Sequence, residues 1–258
     1  MPPLQKRNFL NFLFLVIPVF LYLWPKFKSM GLQNFIYAAL LAVFFFVTVG
    51  ISLKRKDGFI GKMKYLFPAM LFTGAIFIIW DIRFTELGIW SFNPGYLLGI
   101  SLMQLPLEEW LFFFVVPFFS VYIYEVLKIR LIRSSRPNIF VVLSLVLLVV
   151  YALVAYSYRK DLYTFFTFFL LTIYFGYTIF RNNFKKNYPK FYLSYLFALA
   201  PFLILRGILT GLPVVTFNYD HILNVFIFSI PIEDLGYFFL IHLMNITIFE
   251  YLSVRRFY

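Results

Sequence analysis

Apolar blocks of about twenty residues, separated by short charged stretches, divide the chain. Eight such blocks lie at roughly 9–24, 34–53, 64–82, 96–125, 138–156, 162–180, 190–209 and 220–252. A helix needs about 20 residues to cross a hydrocarbon core about 30 Å thick. The pattern therefore predicts an all-α integral membrane protein with eight transmembrane helices. Blocks 96–125 and 220–252 are too long for one simple crossing, since thirty helical residues reach about 45 Å. Each must tilt, kink or begin as a short re-entrant piece, and Pro106, Pro117 and Pro231 are placed to break the helix. The block at 9–24 follows Lys6 and Arg7 as a signal peptide would, but no small-residue cleavage site follows, so it is expected to stay as a helix.

The same pattern contains a repeat. The stretch SFNPGYLLGISLMQLPLEEWLFFFVVPFFSVYIYEVL, 91–127, aligns without a gap on TFNYDHILNVFIFSIPIEDLGYFFLIHLMNITIFEYL, 216–252, at an offset of 125. Phe92, Asn93, Pro106, Glu108 and Glu125 recur as Phe217, Asn218, Pro231, Glu233 and Glu250, and Glu109 becomes Asp234. The offset also carries the second and third blocks onto the sixth and seventh. Four crossings per half is an even number, so the halves, 1–127 and 128–258, run in the same direction. That predicts two parallel four-helix repeats related by a pseudo-two-fold axis along the membrane normal.

Composition agrees: 62% of residues are hydrophobic and 13% charged, with a mean hydropathy of +0.86. The net charge of +12 is topology rather than a nucleic-acid signal. With the N-terminus inside, only Lys26, Lys28, Arg83, Arg159, Lys160 and Arg206 of the 23 basic residues fall on the outer side. The positive-inside bias thus predicts both termini in the cytoplasm. With no cysteine, disulfides, thiol chemistry and Cys-ligated zinc are excluded.

The chemistry must lie with the acids. Asp57 and Asp161 fall in charged loops, where solvated carboxylates are ordinary. The other nine of the eleven, among them Asp81, Glu86 and Asp220, lie in or beside the third and fourth blocks of each half. An acid in mid-membrane costs at least ~2.5–3.5 kcal/mol, so intramembrane carboxylates are functional candidates. Pro106-Leu107-Glu108-Glu109 and Pro231-Ile232-Glu233-Asp234 place two acids in each long block. The axis is expected to pair Glu108 with Glu233, or Glu109 with Asp234. Two carboxyls in one dry site cannot both ionise, which leaves a proton donor beside a base; the plain alternative is a buried hydrogen-bond network locking the halves together. Asp81 and Arg206 occupy equivalent positions with opposite signs and are expected to form a structural ion pair. Glu125 and Glu250 are expected to pair with neighbouring Lys or Arg. Asn93 and Asn218 either cap the segments that follow or line the site.

Aromatic residues make up 24% of the chain, and most must be packing. Those near the acid motifs are candidate substrate contacts: Trp80, Trp90, Phe92, Trp110, Phe113, Phe217, Tyr237 and Phe238, with Phe112, Phe114 and Phe239 beside them. Ring faces beside a proton donor suit a carbocation, which they stabilise without quenching. His221 and His242 lack metal-ligand spacing. No GxGxxG, Walker motif or Asp-rich magnesium motif is present. Cofactor-free acid–base chemistry on an apolar molecule remains, with no metal expected.

P-L-E-E-x-x-F-F-F in the first half, with R-G-I-L-T-G-L-P-V-V-T-F-N and P-I-E-D-x-x-Y-F-F in the second, resembles the lycopene cyclase domain family. These are small membrane carotenoid cyclases, and the chain looks like a fused two-repeat form of the two-subunit bacterial type. The resemblance implies a lipophilic carotenoid substrate, lycopene or a relative, cyclised to β-rings without a cofactor. It also implies a multi-pass protein of a bacterial or archaeal cytoplasmic membrane. A protonated Glu108 or Glu233 would deliver a proton to C2 of the ψ-end, and Glu109 or Asp234 would remove the C6 proton. Glutamine at Glu108 or Glu233 is then expected to abolish cyclisation, and Asp81→Asn to lower mainly stability. Two other readings stay open: a proton-coupled transporter, to which pseudo-symmetric halves with midplane acids are also suited, and a hydratase or cyclase of a different carotenoid.

Overall fold

A computed structural model describes residues 31–55, 58–130, 137–181 and 184–254. Seven long helices run through it: α1 (Ile36–Arg55), α2 (Met63–Glu86), α3 (Leu107–Arg130), α4 (Pro137–Ser157), α5 (Leu162–Phe180), α6 (Tyr188–Gly211) and α7 (Glu233–Val254). All seven are long and apolar enough to cross a membrane, and the chain is an all-α membrane protein in these regions. The expected crossing at 9–24 and both chain ends lie outside the described residues.

The two over-long blocks resolve in the same way. Block 96–125 is not a tilted thirty-residue helix. It opens with a short strand pair, β2 (Ser101–Leu102) with β3 (Leu105–Pro106), and the helix starts only at Leu107. Block 220–252 opens with β5 (Phe226–Ile227) and β6 (Ile230–Pro231) before α7. Pro106 and Pro231 close these hairpins, where a missing N–H costs nothing, while Pro117 is accommodated inside α3. The first hairpin turns through Met103 and Gln104, with φ of 49° and 66°. Side chains other than Gly, Asn or Asp are unfavourable there. Replacing this pair by Asn-Gly is expected to raise thermal stability by about 1 kcal/mol, read as a higher melting temperature of the purified protein in detergent.

Between each hairpin and the preceding helix lies one more strand: β1 (Trp90–Phe92) after α2 and β4 (Val215–Phe217) after α6. The helices end so that these strands can begin. Gly88, at φ 65°, takes the left-handed position after α2, and Ile89 N–H returns to Phe84 O at 2.9 Å. In the second half Pro213 follows the helix, and Val214 N–H returns to Leu209 O at 2.8 Å.

β1 and β4 pair antiparallel, with Ser91 opposite Thr216 and Trp90 opposite Phe217. Ser91 and Thr216 are equivalent under the 125 offset, and their hydroxyls lie 2.8 Å apart. The flanking bonds are reciprocal too: Asn93 N–H donates to Val214 O and Asn218 N–H to Ile89 O. Helix packing follows the same exchange. α3 lies against α1, α2 and α6, and α7 against α5, α6 and α2. The central helices α3 and α7 are the most buried, whereas most of α4 faces outward.

Away from the strands, Glu125 of α3 forms ion pairs with Lys62 and with Lys128, the latter at 3.4 Å, and Lys128 also binds Glu250 of α7. This matches the expected pairing of both acids. Lys128→Met would leave two neighbouring carboxylates without their shared cation. It is expected to cost about 1–3 kcal/mol, measured as a lower melting temperature of the purified protein in detergent.

Candidate active site

One end of the bundle gathers the N-termini of α1, α3, α5 and α7 with the C-termini of α2 and α6. Positive and negative helix ends alternate there, and a negative charge is favoured only within the first turn of a helix that carries it. Both acid motifs open their helices at this end: Glu108 and Glu109 in the first turn of α3, Glu233 and Asp234 in the first turn of α7. All four are buried, as is Asp81 near the end of α2.

Within each motif the two acids part company. Glu108 Oε1 accepts the Leu98 N–H at 2.6 Å, and Glu233 Oε1 accepts the Leu223 N–H at 2.6 Å and the Thr164 hydroxyl at 2.5 Å. These two glutamates hold the chain that leads into each hairpin. Their second oxygens are buried and without a partner among the described residues.

The other acid of each motif faces its neighbours across the bundle. Glu109 Oε2 accepts the Tyr37 hydroxyl at 2.6 Å, and Asp81 lines the same cavity as Glu109. Asp81 also accepts the Tyr237 hydroxyl at 2.8 Å. Asp234 accepts the Tyr163 hydroxyl at 2.5 Å on one oxygen and Arg206 Nε at 2.7 Å on the other. Arg206 is buried, with its guanidinium over the rings of Phe112 and Phe217 at 5.9 and 5.7 Å. The expected Asp81–Arg206 ion pair is thus replaced by Arg206–Asp234. The reason is reach: Asp234 presents its carboxylate to the guanidinium edge, while Asp81 is turned toward Tyr237 and Glu109.

Asp81, Glu109, Arg206 and the hydroxyl-bearing rings Tyr163 and Tyr237 line a common cavity together with Trp90, Phe92 and Val215. Its free volume of about 10 Å³ is room for roughly one water. Of the four acids in the two motifs, only Glu109 reaches it. Asp234 stands behind Tyr163 and Arg206, and Asp81 takes a place that its sequence position alone did not suggest.

The candidate substrate contacts divide similarly. Trp90, Phe92 and Tyr237 reach the cavity. Trp80 stands behind them, against Tyr237 and Phe77 at ring separations of 5.1 and 5.4 Å. Phe217 stacks on Tyr163 at 5.7 Å, and Phe113 packs on Phe77 at 5.9 Å. Phe238 stacks on Phe202 at 4.2 Å and belongs to the core around His242. Trp110 donates its indole N–H to Leu102 O at 3.3 Å, fastening the first hairpin. Asn93 and Asn218 cap short 3-10 turns, accepting the N–H of Gly95 and Asp220 at 3.0 Å each.

A family model described as lycopene cyclase matches residues 51–127 and 159–252, about two thirds of the chain. The chain belongs to the lycopene cyclase family. No curated protein and no solved structure matches it. The two matched segments contain both acid motifs, both strand–hairpin units and all eight residues that line the cavity. Membership supports a role as a carotenoid cyclase and implies a carotenoid substrate. Tyr37 lies before the first matched segment, and Tyr163 just inside the second. Neither tyrosine stood out in a chain with 19 of them.

Proposed function

We propose that this lycopene cyclase family member is a lycopene β-cyclase, an isomerase that closes the ψ-ends of a linear carotenoid by proton-initiated chemistry without a cofactor. The observation that carries the reading is the buried Glu109 carboxyl, at a small cavity walled by Trp90, Phe92, Tyr163 and Tyr237.

Glu109 is the proton donor in this reading, in place of Glu108 or Glu233, whose carboxyls are committed to the hairpin backbone. Its O–H proton adds to C2 of the ψ-end as the C1=C2 π bond breaks, leaving a cation at C1. The C5=C6 π pair forms the C1–C6 bond and moves the cation to C5. Loss of the C6 proton to a carboxylate of the site then restores C5=C6 in the ring. One proton enters and one leaves, so the product is an isomer with no redox change. Donation leaves negative charge beside the developing cation, and the ring faces add to its stabilisation without supplying a nucleophile. An end group is far larger than the free volume, so the ring walls must part for it to enter from the lipid.

The topology proposed with this function is eight crossings in two parallel halves, 1–127 and 128–258, both termini cytoplasmic and the site in the outer half of a bacterial or archaeal inner membrane. What supports it is the recurrence of helices, strands and hairpins at the 125 offset, with Ser91 facing Thr216. Expression of the full chain in a lycopene-accumulating bacterium is the direct test: ring-bearing carotenoids are expected. Unchanged lycopene, with the protein present in the membrane, would overturn the assignment and favour a different carotenoid or proton-coupled transport.

A further inference from the structure

The two halves place different chemistry at equivalent positions of the site. At the 125 offset Glu109 corresponds to Asp234, acid for acid, but Asp81 corresponds to Arg206. In the second half Arg206 balances Asp234, whose two oxygens are occupied by the guanidinium and the Tyr163 hydroxyl. In the first half the neighbour of Glu109 is another acid, and the two buried carboxyls line one small cavity. Two buried carboxyls at one small cavity cannot both ionise without strong repulsion, so the pair keeps a proton. The hydroxyls of Tyr37 and Tyr237 each donate to one member of the pair and leave the shared proton in place. Both carboxyls line the cavity, whereas Asp234 does not.

We propose that Asp81 is a catalytic residue sharing one proton with Glu109, and that this pair is the donor for both ends of the carotenoid, each end being cyclised in a separate binding event. The inference rests on the cyclase reading of the site. In each event the pair gives its proton to C2, forming C2–H as the O–H bond breaks. The doubly ionised pair then takes the C6 proton, so the donor is restored within the turnover. A linear carotenoid has two like ends, but the site holds one proton-bearing pair. The singly cyclised molecule must therefore leave and return reversed.

The test uses the purified full-length protein in lycopene-loaded liposomes. Asp81→Asn keeps a polar group of the same shape but cannot carry the proton. It is expected to lower ring formation at least ~100-fold, within the usual range for loss of an acid–base group, with pigment retention and melting temperature preserved. Asp81→Glu is expected to recover a measurable part of the activity. In a pulse of labelled lycopene followed by excess unlabelled lycopene, the wild-type protein is expected to release labelled monocyclic product, and the chase to suppress its second cyclisation. Activity of Asp81→Asn within about threefold of wild type would overturn the catalytic role. Passage of label to the bicyclic product undiminished by the chase would overturn the single donor. Should Asp81→Asn fail to fold, inactivity of a folded Asp81→Glu would count against a shared-proton role, and the pulse–chase still decides the single donor. A wild-type protein that forms no ring from lycopene would instead remove the cyclase reading, and this inference with it.

Discussion

Glu109→Gln is expected to lower ring formation by about 10³-fold or more, while the protein still inserts, folds and retains pigment. General acid catalysis commonly contributes ~10²–10⁴-fold. Glutamine keeps the shape and can still meet the Tyr37 hydroxyl through its amide oxygen, so the loss isolates proton transfer from packing. The neighbouring substitution makes the contrast. Glu108→Gln retains an oxygen for the Leu98 N–H, but it places an amide N–H₂ where the second carboxyl oxygen has no partner. Its expected effect is about 1–3 kcal/mol of stability, with activity per folded molecule within about tenfold of wild type. Pigment analysis normalised to membrane-inserted protein separates the two. Equal loss from both variants would return the donor to the ambiguous pair that the P-L-E-E motif presents.

Arg206→Met is expected to produce the largest loss of stability. Arg206 is buried, donates to Asp234 at 2.7 Å and is the cation among Asp81, Glu109 and Asp234. Removing one partner of a buried pair costs about 3–5 kcal/mol, because the remaining charge has neither water nor counter-ion. For a protein of ordinary marginal stability this approaches the whole folding free energy, so little folded protein should be recovered from membranes. Arg206→Met combined with Asp234→Asn removes both charges and is expected to restore much of the yield, measured by detergent-solubilised monodisperse protein. A lone Arg206→Met that expresses and melts like wild type would show that the pair carries no such energy.

Much of the fold was legible because its signals are local and repeated. Apolar block length announces helices, and the constant offset announces equivalent elements, which the described helices and strands follow to within a residue. The hairpins were less legible. Ser101-Leu102 and Phe226-Ile227 are apolar, and a short apolar run next to a helix carries no period of its own. Only Pro106 and Pro231 hinted that the helices begin later.

The site was legible at the level of residue type and not of direction. The sequence shows two adjacent acids in each motif. Which of them faces the cavity depends on how the preceding loop returns, and the Leu98 and Leu223 N–H groups settle that by claiming Glu108 and Glu233. The Asp81–Arg206 expectation took equivalent positions of opposite charge to mean contact. In the bundle, Arg206 has Asp234, 28 residues ahead on the next long helix, closer to hand. Tyr37 and Tyr163 had no signal of their own, since a tyrosine at the start of an apolar helix is an ordinary interfacial residue.

The most direct measurement is the reaction of the purified full chain with lycopene in liposomes made up in D₂O, with no flavin or nicotinamide added. Cofactor-free protonation by a buried carboxyl predicts β-rings carrying about one deuterium each, at C2, because exchangeable acid protons equilibrate with solvent between binding events. Rings formed without deuterium, or rings formed only when a redox cofactor is supplied, would contradict it.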